Sequence, residues 1–336
     1  MTIDRPTPAT LDSPSPLPYL GILRFAGPDA ASFLQGQISN DTAVLTGGSP
    51  LLAAYSTPQG RVVALMHLLP HSSGILALIP HEIVLPTLER LRKFVMRAKV
   101  KIEDISDQFA VLGLQGSHWL TAHGFAEPAG GYSEHDGIGI GRVGASPERY
   151  WVVGTKADLA AHGIGAAPPG NGAGDGEESA AVDNAWRLAD IRDGLPQVYA
   201  ATREMFVAQM LNMDLIAGIS FTKGCYTGQE IIARAQHLGR IKRRLFRLRL
   251  PAGSWAIGQT IHLTDGRGGR LTELAHAGDG IEALAVLNID GESAAEGDAA
   301  PGRKTAGAAA TLDAAAAAAA TKATQLPLPY LVTSGH

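Results

Sequence analysis

Residues 219–234 read ISFTKGCYTGQEIIAR, and no other stretch limits the fold as sharply. Gly224 and Gly228 bracket Cys225, Tyr226 and Thr227, a pattern that demands a tight turn. Thr227 is followed three residues later by Glu230 and then by Ile231, Ile232 and Ala233. That capping-box spacing predicts a helix with Thr227 at its N-cap. Cys225, the sole cysteine, then lies two residues before the cap, beside the partial positive charge of unpaired N–H groups and close to Lys223. A thiol in that setting ionises more readily than a free one, so Cys225 is the candidate reactive thiol and Lys223 its candidate helper. A second reading stands beside it, in which the glycines merely permit the turn and the cysteine is a small apolar plug. His237, twelve residues downstream, leaves Cys–His chemistry open.

Composition narrows the classes. The 336 residues, 45% hydrophobic and 18% charged, suit a soluble globular chain of two or three domains. A net charge of −4 means that any nucleic-acid site is a local patch and not a global property. One cysteine excludes an internal disulfide and fits a reducing, cytoplasmic setting. A bound iron–sulfur cluster takes four thiolates, and the eleven histidines show no HxxH or HExxH pair, so no metal ligands are assigned. There is no secretory signal pattern and no apolar run of the roughly 20 residues that a spanning helix needs, so no membrane association is expected. Nothing indicates an oligomer.

Prolines at 6, 8, 14, 16 and 18 mark residues 1–18 as an extended or disordered arm. A strand is predicted at 20–25, and a helix opening at Gly27-Pro28-Asp29 turns Ala30, Phe33 and Leu34 inward. Residues 51–55 and 61–69 flank a hairpin turn, and 74–80 is a further strand. A helix over 82–97 follows from the spacing of Ile83, Leu85, Leu88, Leu91, Phe94 and Val95. Arg90, Arg92, Lys93, Arg97, Lys99 and Lys101 give this segment a basic side, either a solvated face or a surface for phosphates. Strands at 100–105, 110–114 and 149–154 and a short helix at 117–123 come next, then a flexible insertion at 163–179. A helix from about 182 to 192 is closed by Asp193-Gly194-Leu195-Pro196. Residues 240–250, RIKRRLFRLRL, read as a strand with one basic face, so Arg240, Lys242, Arg243 and Arg244 form either a charged edge or an RNA-backbone patch. Beyond 250, short strands with Gly-rich turns predict a small β-barrel, interrupted by Ala-rich low complexity at 292–324 and completed by an edge strand at 325–332. The class is α+β.

KGCYTGQE followed by IIAR resembles the signature of the YgfZ family, glycine-cleavage-T-like folate-binding proteins linked to iron–sulfur cluster assembly and tRNA modification. The block GPDAASFLQGQISND, the segment 91–101, and Phe206, Gln209, Met210, Asn212 and Met213 resemble the same family, over roughly residues 17–290. The resemblance implies an aminomethyltransferase-like folate-binding fold of two α/β subdomains over 19–245, with the barrel over 246–336. It implies tetrahydrofolate as cofactor without a permanent metal, and folate, iron–sulfur enzymes or assembly proteins, and tRNA as partners. The implied role is accessory, supporting iron–sulfur cluster assembly or repair and tRNA modification through Cys225, without conventional turnover. On matching positions, Asn40, Asp41, Arg192, Tyr226, Gln229, Glu230 and Arg234 are the ligand candidates, Asn40 and Asp41 being equally good turn formers. Two departures matter. Ala64 and Leu65 stand where the aminomethyltransferases carry aspartates, one of them catalytic, and Arg192 stands where folate-binding relatives carry the acid that grips the pterin. Two other functions stay in view: a folate-dependent one-carbon transferase, which needs such a carboxylate, and a tRNA-binding module using 240–249.

Overall fold

The computed structural model describes residues 11–143, 148–165, 175–237, 241–289 and 320–332. These residues form three antiparallel sheets of five strands each. β1 (Ser15–Pro16) belongs to the second sheet; β2 (Leu20–Ala26), β3 (Leu51–Ser56), β4 (Val62–His71), β5 (Gly74–Pro80) and β6 (Lys101–Asp104) build the first, in the order β3-β4-β5-β2-β6. β4 is an almost unbroken apolar run because both of its faces are covered. Ala64, Met66 and Leu68 pack under α1 (Ala30–Gln35), α2 (Ala43–Thr46) and α3 (Val84–Arg92) through Phe33, Leu34, Leu45, Leu88 and Leu91. Val62 and Leu65 instead enter a core with Phe206, Leu211, Tyr226, Ile232 and Leu245.

The second sheet runs β1-β7-β10-β9-β8, from β7 (Phe109–Gln115), β8 (Tyr132–His135), β9 (Ile138–Val143) and β10 (Arg149–Thr155). It carries α4 (His118–Ala122) and α5 (Lys156–Ala161) and shares a core with the first sheet through Leu69, Leu76, Leu78, Val111 and Trp151. The helix α6 (Asp175–Asp193) lies across β7, where Gly113 leaves room for the buried Trp186 ring; a Cβ there would sit 2.4 Å from it. Arg149, wholly buried, holds the end of α6 with bonds of 2.7 Å to Asp190 and 2.6 Å to Asp193. After α7 (Gln229–His237) the third sheet follows, from β11 (Arg243–Leu250), β12 (Thr260–His262), β13 (Gly268–Ala277), β14 (Gly280–Asn288) and β15 (Thr324–Leu326), in the order β12-β13-β14-β11-β15.

Several expectations change. In place of the C-terminal barrel, the described residues form an open ladder with β12 and β15 at its edges, whose flanks meet through a parallel bridge of Leu263 with Thr321 and a bond from Arg267 to Gln325. Of the N-terminal arm, residues 1–10 lie outside the described residues, but 11–18 are packed. Ser15 and Pro16 pair with β7, and Leu11 and Leu17 are buried, because an edge strand accepts a proline-bearing partner that it needs only for alternate hydrogen bonds. The helix expected to reach 97 stops at Arg92, since the chain must turn back to pair β6 with β2. Residues 166–174 of the expected insertion at 163–179 lie outside the described residues, and α6 already starts at Asp175. Residues 290–319, most of the low-complexity stretch, lie outside them too, while β15 pairs antiparallel with β11 as the last edge strand. Among the described residues no helix is long and apolar enough to cross a membrane.

Candidate functional site

Three loops meet at the site of Cys225. The first follows α1, over residues 35–41. Its Ser39 Oγ donates to Gly218 O at 2.7 Å, and its Asn40 Nδ2 donates to Ala217 O at 2.7 Å and Leu52 O at 2.8 Å. In return Ser220 N donates to Ser39 O at 2.9 Å and Thr227 N to Gly36 O at 3.2 Å. The second loop is the hairpin turn between β3 and β4. Gly228, at φ +84°, lies so close to it that an added Cβ would meet Thr57 O at 2.6 Å. The third is the cysteine turn itself, over residues 217–230.

Lys223 locks this clasp. Its Nζ donates to Gln35 O at 2.7 Å, Ile38 O at 2.8 Å and Asn40 O at 2.8 Å, and it lies 4.9 Å from the centre of the Tyr226 ring. An ammonium has three donors, and all three are used. The residue is 7% exposed; burial pushes its pKa down to about 8, with the Asp41 carboxylate pulling the other way, so it stays mostly charged at neutral pH. The donors of Lys223, which the sequence suggested as helper of the thiol, are thus committed to backbone carbonyls. The lysine caps the negative end of α1 and the turn beyond it, and it is buried while Gly224 and Cys225 are exposed.

The helix start also differs. α7 begins at Gln229, and the Gly228 carbonyl accepts from Ile232 N at 3.3 Å, which puts the cap at Gly228 and not at Thr227. The positive φ that Gly228 needs to clear Thr57 breaks the Thr227 capping geometry. We expect Gly228→Ala to cost about 2–3 kcal/mol, from left-handed strain plus the clash with Thr57 O, read as a lower urea midpoint at unchanged slope.

The other candidate residues scatter. Asn40 and Asp41 serve the turn: Asp41 N donates to Asn40 Oδ1 at 2.9 Å, and Asp41 Oδ1 accepts from Ala43 N at 3.0 Å. Tyr226 is buried in the core, where burial lifts its hydroxyl to about 12. Gln229 is half-buried, and Glu230 and Arg234 are exposed on α7. The side chain of His237 lies outside the described residues, so the Cys–His pairing has no geometry to report. Arg192 lies at the end of α6, where it pairs with Glu282 at 3.0 Å.

Along the basic strand 240–249, most of the described arginines have partners inside the fold. Arg244 is 1% exposed and holds Asp214 in a bidentate pair, at 2.6 Å and 2.9 Å. Arg243 donates to Asn288 Oδ1 at 2.9 Å, Arg247 to Glu282 at 2.7 Å and Arg249 to Asp279 at 2.8 Å. The alternation along β11 is as expected, but Arg244, Arg247 and Arg249 face carboxylates from the segment 206–217, the neighbouring β14 and the turn before it, and Arg243 meets an amide oxygen. Lys242 is exposed, and Arg240 lies outside the described residues.

Two residues that sequence reasoning matched to the family without giving them a role hold the frame. Gln209 Nε2, fully buried, donates to Ile232 O at 2.6 Å and so fixes α7. Asn212, in the left-handed region at φ 57°, brackets Leu245 of β11 with both ends of its amide, at 2.9 Å and 3.3 Å. The available signal was the run of polar residues in an otherwise apolar stretch, 206–217, which only the buried carbonyls of distant segments explain. Among the described residues no group of three or more His, Cys, Asp or Glu side chains could hold a metal ion.

The clasp sits on a fold that other proteins share. No family model matches the chain. The tRNA-modifying protein YgfZ of Colwellia psychrerythraea is 33% identical over 236 residues, which cover 68% of this chain and 69% of that protein. The chain belongs to the YgfZ family. The YgfZ protein of Edwardsiella ictaluri is 32% identical over 234 residues, 68% of each chain, and that of Yersinia pestis strain Pestoides F is 28% identical over 284 residues, 80% of this chain and 82% of the relative. Among solved structures, aminomethyltransferase T of the glycine cleavage system from Bartonella henselae superposes with a TM-score of 0.56 at 13% identity, over 84% of this chain and 80% of that one. The YgfZ chain thus has the α+β, aminomethyltransferase-like fold. The positions that match the catalytic aspartates and the pterin-gripping acid do not supply those groups. Ala64 and Leu65 are wholly buried in two apolar cores, and Arg192 is engaged by Glu282. No carboxylate stands at any of the three.

Proposed function

We propose that this protein is an accessory factor of tRNA modification, supporting the iron–sulfur enzymes of that process, and that it acts by presenting the Cys225 thiol. The observation that carries the reading is the exposed cysteine on a turn whose flanking backbone is pinned by Lys223, Ser39 and Asn40. A cysteine kept as packing would be buried. One fixed in the open, on a frame that resists collapse, is placed to meet a partner. The names of the relatives supply the substrate class. Tetrahydrofolate is the ligand that the family resemblance implies, and we assign it no step, because the acid that would grip a pterin is absent from the matching positions. The same absence speaks against one-carbon transfer.

The test is restoration of modified nucleosides, measured by mass spectrometry of bulk tRNA, in a strain that lacks this protein and is supplied with wild type or Cys225→Ser. The exposed site should leave the melting temperature within about 1–2 °C, since surface changes away from special features are near neutral. We expect the variant to lose at least about tenfold in restored modification. Full restoration by Cys225→Ser would remove the thiol from the function. Calorimetric titration with tetrahydrofolate tests the ligand separately, and saturable binding would have to be traced to residues other than 64, 65 and 192.

A further inference from the structure

We propose that the loop after α3, residues 93–100, is the surface that meets the tRNA backbone, with Lys93, Arg97 and Lys99 as phosphate contacts and Phe94 as a stacking platform. This rests on the tRNA reading above and adds where the RNA lies.

Three observations point there. First, the cations are free. Arg90 pairs with Glu204, Arg92 donates to Ile102 O and Lys101 pairs with Glu103, but among the described residues no carboxylate lies within salt-bridge reach of Lys93, Arg97 or Lys99. That is the reverse of β11, whose arginines are consumed internally. In a chain of net charge −4, a polyanion must find such a local cluster.

Second, solvation does not account for the loop. Phe94 is 42% exposed and Met96 88%, both set between the free cations. Val95, Ala98 and Val100 pack inward on the first core, so the loop is anchored, and its outward residues are held in place. Lys99 N donates to Asp29 Oδ2 at 2.6 Å, which fixes the far end. Aromatic side chains interleaved with free cations suit a nucleic acid, whose bases stack while its phosphates pair.

Third, the loop is near the thiol. It abuts the N-terminal end of α1 through Asp29 and Lys99, and the Lys223 clip holds the C-terminal end of the same helix at Gln35. Six helical residues span about 9 Å, so one short helix separates the loop from the lysine clip of the cysteine turn.

The experiment measures fluorescence anisotropy of labelled, unmodified tRNA with the full chain, over salt from about 50 to 300 mM. We expect Lys93→Gln/Arg97→Gln/Lys99→Gln to weaken binding at least about 30-fold at the lowest salt. It should also flatten the log–log salt slope by about 2–3, close to one unit per lost phosphate contact. Phe94→Ala should weaken binding about 5- to 10-fold with the slope unchanged. Lys242→Gln/Arg243→Gln should alter neither. All these side chains are at least partly solvent-facing, and an unchanged melting temperature certifies each variant. If the triple variant keeps wild-type affinity and slope, the loop is not the RNA surface; if it keeps them but loses a co-purifying protein, the loop docks protein, and the proposal is equally overturned. Wild-type protein that fails to bind tRNA at about 50 mM salt overturns the tRNA reading itself, which distinguishes that failure from a misplaced surface.

Discussion

Lys223→Met is expected to lower the unfolding free energy by about 3 kcal/mol, measured as a reduced urea midpoint. The side chain keeps its length and loses three donors, so the carbonyls of Gln35, Ile38 and Asn40 are left facing an apolar group. Each buried carbonyl stripped of its partner costs about 1–3 kcal/mol. Removing the ammonium also recovers the desolvation that depresses its pKa, which offsets part of the sum and sets the figure near the lower end. Lys223→Arg should rescue little, because a planar guanidinium spreads its donors in a fork and cannot converge them on three carbonyls around one point. If Lys223→Met proves as stable as wild type, the clip is ornamental and the lysine is free for another task. A thiol-activating lysine would give that result with a loss of tRNA modification.

Asp214→Ala is expected to cost more, about 3–5 kcal/mol, since it leaves Arg244 charged, buried and without its bidentate partner. The Arg244 Nη1 bond to Gln209 O at 2.8 Å remains, but a neutral carbonyl does not balance the charge that Asp214 does. The double variant Asp214→Leu/Arg244→Leu should be milder than Asp214→Ala alone, because an apolar pair removes both the charge and its desolvation cost. If the double variant is instead the worse of the two, the pair acts as a net stabiliser of the seam between β11 and the segment 206–217. Denaturant titration of the two variants decides it.

Much of the local structure was legible in the sequence. The turn at Cys225 followed from Gly224 and Gly228, and the alternation of β11 from Leu248 and Leu250. Both are short-range signals, a glycine where φ must be positive and apolar residues every second position. What misled was adjacency. Lys223 stands two residues from Cys225, yet its partners are 183 to 188 residues away, and no local rule says which way a buried ammonium will turn. Thr227 and Glu230 matched the capping box, but the demand of Gly228 to clear Thr57 moved the cap by one residue. The arginines of β11 looked free because Asp214, Asp279 and Glu282 come from elsewhere in the chain. Conversely, Lys93 and Arg97 looked like the side of a helix, and it is the early stop of α3 at Arg92 that gathers them on a loop with Lys99.

The Lys223 clip has a consequence for how such proteins diverge. The lysine grips backbone oxygens, which every amino acid supplies, so its partner positions 35, 38 and 40 owe it no particular side chain. Substitutions there are filtered for loop shape, and the lysine itself is filtered for chemistry. Paired changes between the two stretches will therefore be rare, and contact inference from correlated substitutions will pass over the bond that holds the clasp shut.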